Sequence, residues 1–231
     1  MIITKAKVLL PESEINKEML KKIERYARVC YKSEDKLAEE PNESFLGTII
    51  KHGHESVIEH EKITLMFITD RGITHEVVRH RLGSYSQEST RYCNYMNEKF
   101  GQEINVIEPF FYIGKPEYEI WKKSCQAAED HYFALLEAGS TPQEARSVLP
   151  NSLKTEIVIT YNLREWRHFL RLRSAKGAHP QVKEIAIPLL LLFKEKMPVL
   201  FGDIPYEESF DPKDYAEIVY TDDYFNPIKG A

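Results

Sequence analysis

Strand-forming stretches are few in this chain and far apart. Ile63 to Ile68 and Thr155 to Tyr161 are rich in β-branched residues. Helical patterns of unequal length separate them, without regular strand–helix alternation. That order points to an α+β fold with no Rossmann crossover. Neither a P-loop nor a G-x-G-x-x-G turn occurs. The 231 residues suffice for one domain with a substantial core, expected over 1–231. Residues 203–231, with Glu207, Glu208, Asp211, Asp214, Asp222 and Asp223, read as a partly ordered acidic tail. An apolar run over residues 2–10, closed by Pro11, reads as an edge strand.

Helix signals are clearer. Asn16 is placed as an N-cap, and Met19, Leu20, Ile23, Tyr26, Ala27, Cys30 and Tyr31 trace one face behind it, with Cys30 expected to pack. Phe45, Leu46, Ile49 and Ile50 mark a second helix stopped at Gly53. Asp70 or Thr74 can cap a third, on which Ile73, Val77 and Val78 recur beside His80 and Arg81. Pro116 opens a long helix that Gly139 stops, and Thr141-Pro-Gln-Glu144 is a capping box bounded by Pro150. Leu163 to Arg173 and Val182 to Met197 follow, the latter with a kink expected at Pro188.

Thirty-one Lys and Arg against thirty-six Asp and Glu give a formal charge of −5, so long-range attraction for a polyanion is not the overall design. Positive charge is instead concentrated locally. Arg79 to Arg91 reads RHRLGSYSQESTR, with only Leu82 and Tyr85 as sizeable apolar bodies, a composition unsuited to a core strand. Gly83 and the serines are expected to end the helix, bringing guanidinium groups to hydroxyls and backbone N–H groups where a phosphate or nucleotide can bind. The same cations also suit a helix C-terminus without any ligand. Beyond Arg91, YCNY reads as a continuing strand.

In the helix from Leu163 to Arg173, Trp166, Phe169 and Leu170 form the apolar stripe, and Arg164, Arg167, His168 and Arg171 gather on a basic side. Arg173 projects along the stripe, so it needs an anionic or carbonyl partner; a structural salt bridge and a ligand both meet that need. His52, His54 and His60 suit metal ligation, a surface, or loop-pinning hydrogen bonds. HEVVRH places its histidines five apart, off a common helix face, and no metal is expected. Cys30, Cys93 and Cys125 have neither metal-ligand spacing nor disulfide density. With no signal-peptide pattern and no run long enough to span a bilayer, a cytoplasmic protein is expected.

The order Arg79-His80-Arg81, seven residues, then Ser89, extended by Arg91 and Tyr92, resembles the signature of the flavin-dependent thymidylate synthases. HGHES with Glu59-His60, ARSVLP and the helix of Arg173 resemble further family elements in the same chain order. Ser86 stands where the family usually has asparagine, Gln87 where glutamate is common, Glu76 where many members carry glutamine, and His168 where asparagine is common. The resemblance implies reductive methylation of dUMP to dTMP, with 5,10-methylenetetrahydrofolate as carbon donor and FAD reduced by NADPH. It also implies a central sheet flanked by helices and a homotetramer with FAD pockets shared between subunits. Carried over residue by residue, it gives the phosphate to Ser89, Arg91 and Arg146 and the base to Arg173, the catalytic position. Glu76, Arg79, Gln87 and Glu88 become further substrate contacts. Ser56, Arg79, His80, Arg81, Gln87, Asn162, Arg164 and His168 fall to FAD, with His54 and His179 lining the flavin or folate side. Glu76 can instead pair with His80 at i+4. A cysteine nucleophile is disfavoured, because only Cys93 is near an electropositive setting and it follows the motif. Two other classes use the same residues: a nucleotide or RNA-binding module on the arginine clusters, and a metal-dependent hydrolase on His52, His54, His60, His75 and His80.

Overall fold

The computed structural model describes residues 1–97 and 101–224; residues 225–231 of the expected acidic tail lie outside the described residues. Two short strands, β1 (Ile2–Thr4) and β2 (Lys7–Leu10), precede helices α1 (Lys17–Tyr31) and α2 (Glu43–Lys51). Then come β3 (Lys62–Asp70), α3 (Arg71–Val77), β4 (Gly83–Gln87), β5 (Asn105–Ile107), α4 (Pro116–Glu137) and α5 (Pro142–Ala145). The remainder is β6 (Lys154–Asn162), α6 (Leu163–Arg173), α7 (Pro180–Lys196), α8 (Pro198–Phe201) and β7 (Glu217–Tyr220).

Five strands form one sheet in the order β4-β6-β3-β2-β7, and β1 pairs with β5 in a second, two-stranded sheet. The two strand-rich runs are direct partners: β3 and β6 are antiparallel from Lys62 opposite Asn162 to Asp70 opposite Lys154. Along β6, Thr155, Ile157, Ile159 and Tyr161 are buried while the alternate residues are partly exposed, the two-residue period of a half-buried strand. Trp166, Phe169 and Leu170 of α6 and Ile185, Leu189 and Phe193 of α7 share the core of that sheet. Trp166 also donates its indole N–H to the Ile63 carbonyl at 3.0 Å, tying α6 to β3. A smaller cluster joins Cys125 and Tyr132 of α4 to Tyr95, Val106 and Leu153. β6 and α6 bury one face each, whereas β3 and the first half of α7 are buried on nearly all sides.

Local capping sets where the helices start. Asn16, Asp70 and Asn162 each accept a backbone N–H three residues on, at 3.2, 2.7 and 2.8 Å, and Thr141 with Glu144 closes the capping box.

Several expectations are corrected. The 2–10 run is two strands, and β2 lies between β3 and β7 rather than at an edge. Helix α3 ends at Val77, so His80 and Arg81 follow the helix, and Gly83 opens β4 instead of stopping it. The serine-rich segment is a strand after all because β4 is the sheet edge, where Ser84 and Ser86 face solvent. Gly83 is needed there: a Cβ would lie 2.2 Å from the Tyr161 ring. YCNY is turned, with the amides of Tyr92 and Cys93 both donating to the Ser89 carbonyl at 3.1 and 2.9 Å. Cys30 is exposed. Within the expected acidic tail, β7 pairs parallel with β2.

Candidate active site

The loop between α3 and β4 is pinned from below. The Tyr85 hydroxyl lies 2.7 Å from that of Tyr161 and against the carbonyls of Val77 and His80. This turns His80 inward to 4 % exposure and leaves Arg79 and Arg81 outward and exposed. The inward histidine meets α6. His80 Nδ1 is 2.9 Å from Glu165 Oε1, and its Nε2 accepts from Arg173 Nε at 3.2 Å. Arg173 also donates to Glu76 Oε2 at 2.5 Å and to the Glu76 carbonyl at 2.9 Å. Burial, then Arg173 and His168 nearby, push the His80 pKa down to about 4, so the ring is neutral at physiological pH. Glu76 therefore serves Arg173 rather than His80, the correction to the i+4 pairing: the turn after α3 carries His80 off the helical spacing that pair requires.

A second group lies at the far end of β4. The Gln87 amide donates to the hydroxyls of Thr74 and Thr155 at 3.0 and 3.3 Å. Glu88 accepts the Tyr95 hydroxyl at 3.0 Å, and burial raises its pKa. Arg71 donates to the Glu88 carbonyl at 2.6 Å while its buried Nε has no partner. Ser89 and Arg91 follow on the turn, where the Arg91 amide donates to Ser89 Oγ at 3.3 Å. Arg146 reaches in from beyond α5 to donate to Thr90 Oγ1 at 3.3 Å.

Arginine pairing separates into two kinds. Among the described residues, Arg164 is paired with Glu59 at 2.5 Å, Arg171 with Asp203 at 3.4 Å and Arg173 with Glu76 at 2.5 Å. Arg167, expected on a basic surface, is instead 1 % exposed. It bonds Glu55 at 3.0 Å, both oxygens of Asp203 at 2.7 and 2.8 Å, and the Leu200 carbonyl. Arg79, Arg81, Arg91 and Arg146 have no carboxylate partner among the described residues and are exposed. These four lack a carboxylate, whereas Arg173 is fixed in orientation by Glu76 and His80.

The remaining expected site residues lie on other elements. His54 Nδ1 is 2.7 Å from the Tyr31 hydroxyl, Ser56 is exposed, and Asn162 uses its side-chain oxygen to cap α6. His179 packs edge-on against Phe111. A cavity of about 610 Å³ lined by residues including Lys5, Glu108, Phe110, Tyr118, Glu184 and Tyr215 contains none of the expected site residues. The His80, Glu165 and His168 ligand atoms lie within 4.8 Å of one another, yet the Arg173 guanidinium donating to the same imidazole opposes a second cation there. Sequence reading missed Glu165, Arg71, Thr74 and Thr155. Only Glu165 left a signal, a carboxylate buried at 6 % exposure one residue before Trp166 on an otherwise basic helix.

Comparison with known proteins gives consistent relatives. Residues 13–199 match the family model described as thymidylate synthase complementing protein. A flavin-dependent thymidylate synthase of Geobacter sulfurreducens is 34 % identical over 77 % of this chain and 78 % of its own length. One of Corynebacterium aurimucosum is 32 % identical over 86 % and 85 %. Among solved structures, the UMP/dUMP methylase PolB of Streptomyces cacaoi, bound with 5-Br dUMP, superposes with a TM-score of 0.72 at 21 % identity, covering 87 % of this chain and 96 % of that one. No described helix is long and apolar enough to cross a membrane.

Proposed function

Because the chain belongs to the flavin-dependent thymidylate synthase family, we propose that it converts dUMP to dTMP, with methylenetetrahydrofolate giving the carbon and NADPH the reducing equivalents. The observation that carries the residue assignment is the split among the arginines. Among the described residues, Arg79, Arg81, Arg91 and Arg146 are exposed and have no carboxylate partner, whereas Arg173 is oriented by Glu76 and His80. Charged groups left unpaired beside hydroxyls suit anionic ligands. Ser89, Arg91 and Arg146 take the dUMP phosphate, and Arg173 polarises the base. Gln87 and Glu88, held by inward partners, shape the floor of that site, and Glu76 contacts the nucleotide beside Arg173.

The donor set also fits FAD. Arg79 and Arg81 suit its diphosphate, with Ser56, Asn162, Arg164 and His168 as further contacts and His54 and His179 on the flavin or folate side. His80, with both ring nitrogens engaged inside the chain, supports this site from beneath. When bound, FAD supplies the redox chemistry, while the protein supplies position and electrostatics. No cysteine is needed as nucleophile: Cys125 is buried, with its thiol pushed up to about 11.

In this reading the pockets are shared between the subunits of a homotetramer. Val78, Leu82 and Tyr92, interleaved with the free arginines, are 39, 72 and 80 % exposed, the mixture of apolar and guanidinium surface that suits a subunit contact. A monodisperse monomer retaining FAD would contradict this assembly.

The deciding experiment is an absorption spectrum of purified protein before and after dUMP. A flavin band that shifts with dUMP and bleaches with NADPH is expected. Colourless protein that binds RNA in a salt-sensitive way would replace this reading with a nucleic-acid-binding module.

A further inference from the structure

The hydrogen on Arg173 Nε is always present. It points at His80 Nε2, 3.2 Å away, so that nitrogen presents its lone pair. The imidazole proton is then on Nδ1, where Glu165 Oε1 accepts it at 2.9 Å. Both acceptors are shielded, with His80 and Glu165 at 4 and 6 % exposure, so water has little access to replace either bond. Phe169 and His168 flank the ring with centroids 4.9 and 5.3 Å away. On the other side of the guanidinium, Glu76 takes one N–H on its carboxylate and one on its carbonyl. Among the described residues, three of the five N–H groups are thus fixed from two directions, and two remain for a ligand.

Taking Arg173 as the base-contacting arginine, as proposed above, we propose that Glu165 is a positioning residue for it, acting through the His80 imidazole. Glu165 selects the Nδ1–H tautomer, and that tautomer gives Arg173 the acceptor which orients its guanidinium. A leucine at 165 removes the acceptor. The His80 proton is then free to move to Nε2, where it opposes the Arg173 N–H. Glutamine keeps an acceptor oxygen and should preserve the arrangement. The low pKa of His80 is consistent with this, since a doubly protonated ring has no lone pair for Arg173.

The test compares wild type, Glu165→Gln and Glu165→Leu as holoenzymes. Histidine-selective ¹⁵N and ¹³C labelling reports the tautomer, with the His80 signal assigned by its loss in His80→Asn. Wild type and Glu165→Gln should show a neutral Nδ1–H ring, whereas Glu165→Leu should show a shift toward Nε2–H. In turnover, Glu165→Leu should lose about 10–100-fold in kcat, by analogy with removing the partner that orients a metal-ligating histidine. KM for dUMP should move by less than about threefold, because the phosphate contacts are intact. Glu165→Gln should recover most of the rate. An unchanged tautomer in Glu165→Leu, or equal losses in both variants, would overturn the positioning role. Wild-type holoenzyme that makes no dTMP would sink the synthase reading instead, and the tautomer comparison would still decide the role of Glu165.

Discussion

Replacing Glu184 by glutamine should change how stability depends on pH. Glu184 lies on α7 at 5 % exposure, and its buried Oε1 has no hydrogen-bond partner among the described residues. Burial first, then the nearby carboxylates of Asp70 and Asp214, push its pKa up to about 9 from an ordinary 4.5, with Lys5 acting weakly the other way. A carboxyl with a raised folded-state pKa is protonated in the folded chain and ionised in the unfolded one across the window between those values. Its contribution is therefore fully present below about pH 4.5 and is lost as pH rises toward 9. Each pH unit within the window costs about 1.4 kcal/mol, so wild type should lose about 2–3 kcal/mol from this group between pH 6 and pH 8. Glutamine does not ionise, so Glu184→Gln should gain on wild type by that amount over the same interval. Urea unfolding at fixed protein concentration, repeated at half-unit pH steps, measures the difference directly. Parallel stability curves for the two proteins would show that Glu184 is ionised in the folded state, and would refute the reasoning.

Arg173→Ala should retain FAD, read from its absorption, and lose dTMP formation by roughly 10²–10³-fold, the scale for deleting a preorganised charge-stabilising donor; near-normal turnover would remove Arg173 from the chemistry. Ser89→Ala should weaken dUMP binding, measured by titrating the flavin band, more than it slows turnover at saturation. Complete loss of saturated turnover would make Ser89 a candidate nucleophile. Arg167→Met strips Glu55 and Asp203 of their shared cation and should destabilise the fold by about 3 kcal/mol in urea. A cost near zero would mean that these carboxylates are sufficiently solvated without it.

The arginine at 173 shows how far sequence reading reaches. Its place on the apolar stripe of α6 was legible, and with it the requirement for a partner. The partner's identity was not: Glu76 is 97 residues earlier and His80 is 93, and the packing of α6 across the α3–β4 turn brings them together. Arg167 failed for a related reason. Its neighbours in sequence are basic, but Glu55 and Asp203 converge on it from opposite ends of the chain, turning an expected surface cation into a buried one. β4 was misread because its polar composition belongs to an edge strand, and edge position is a property of the sheet.

Asn16, Thr141 with Glu144, and Asn162 show what the sequence determined by itself: where helices begin, which face of each is apolar, and which stretches alternate as strands. Those features depend on groups within about four residues of one another. Tertiary structure decided which charges are satisfied internally and which, among the described residues, lack a carboxylate partner. Pairing a buried guanidinium depends on carboxylates that only folding brings within hydrogen-bond reach, and that pairing separates Arg79, Arg81, Arg91 and Arg146 from Arg164, Arg167 and Arg173.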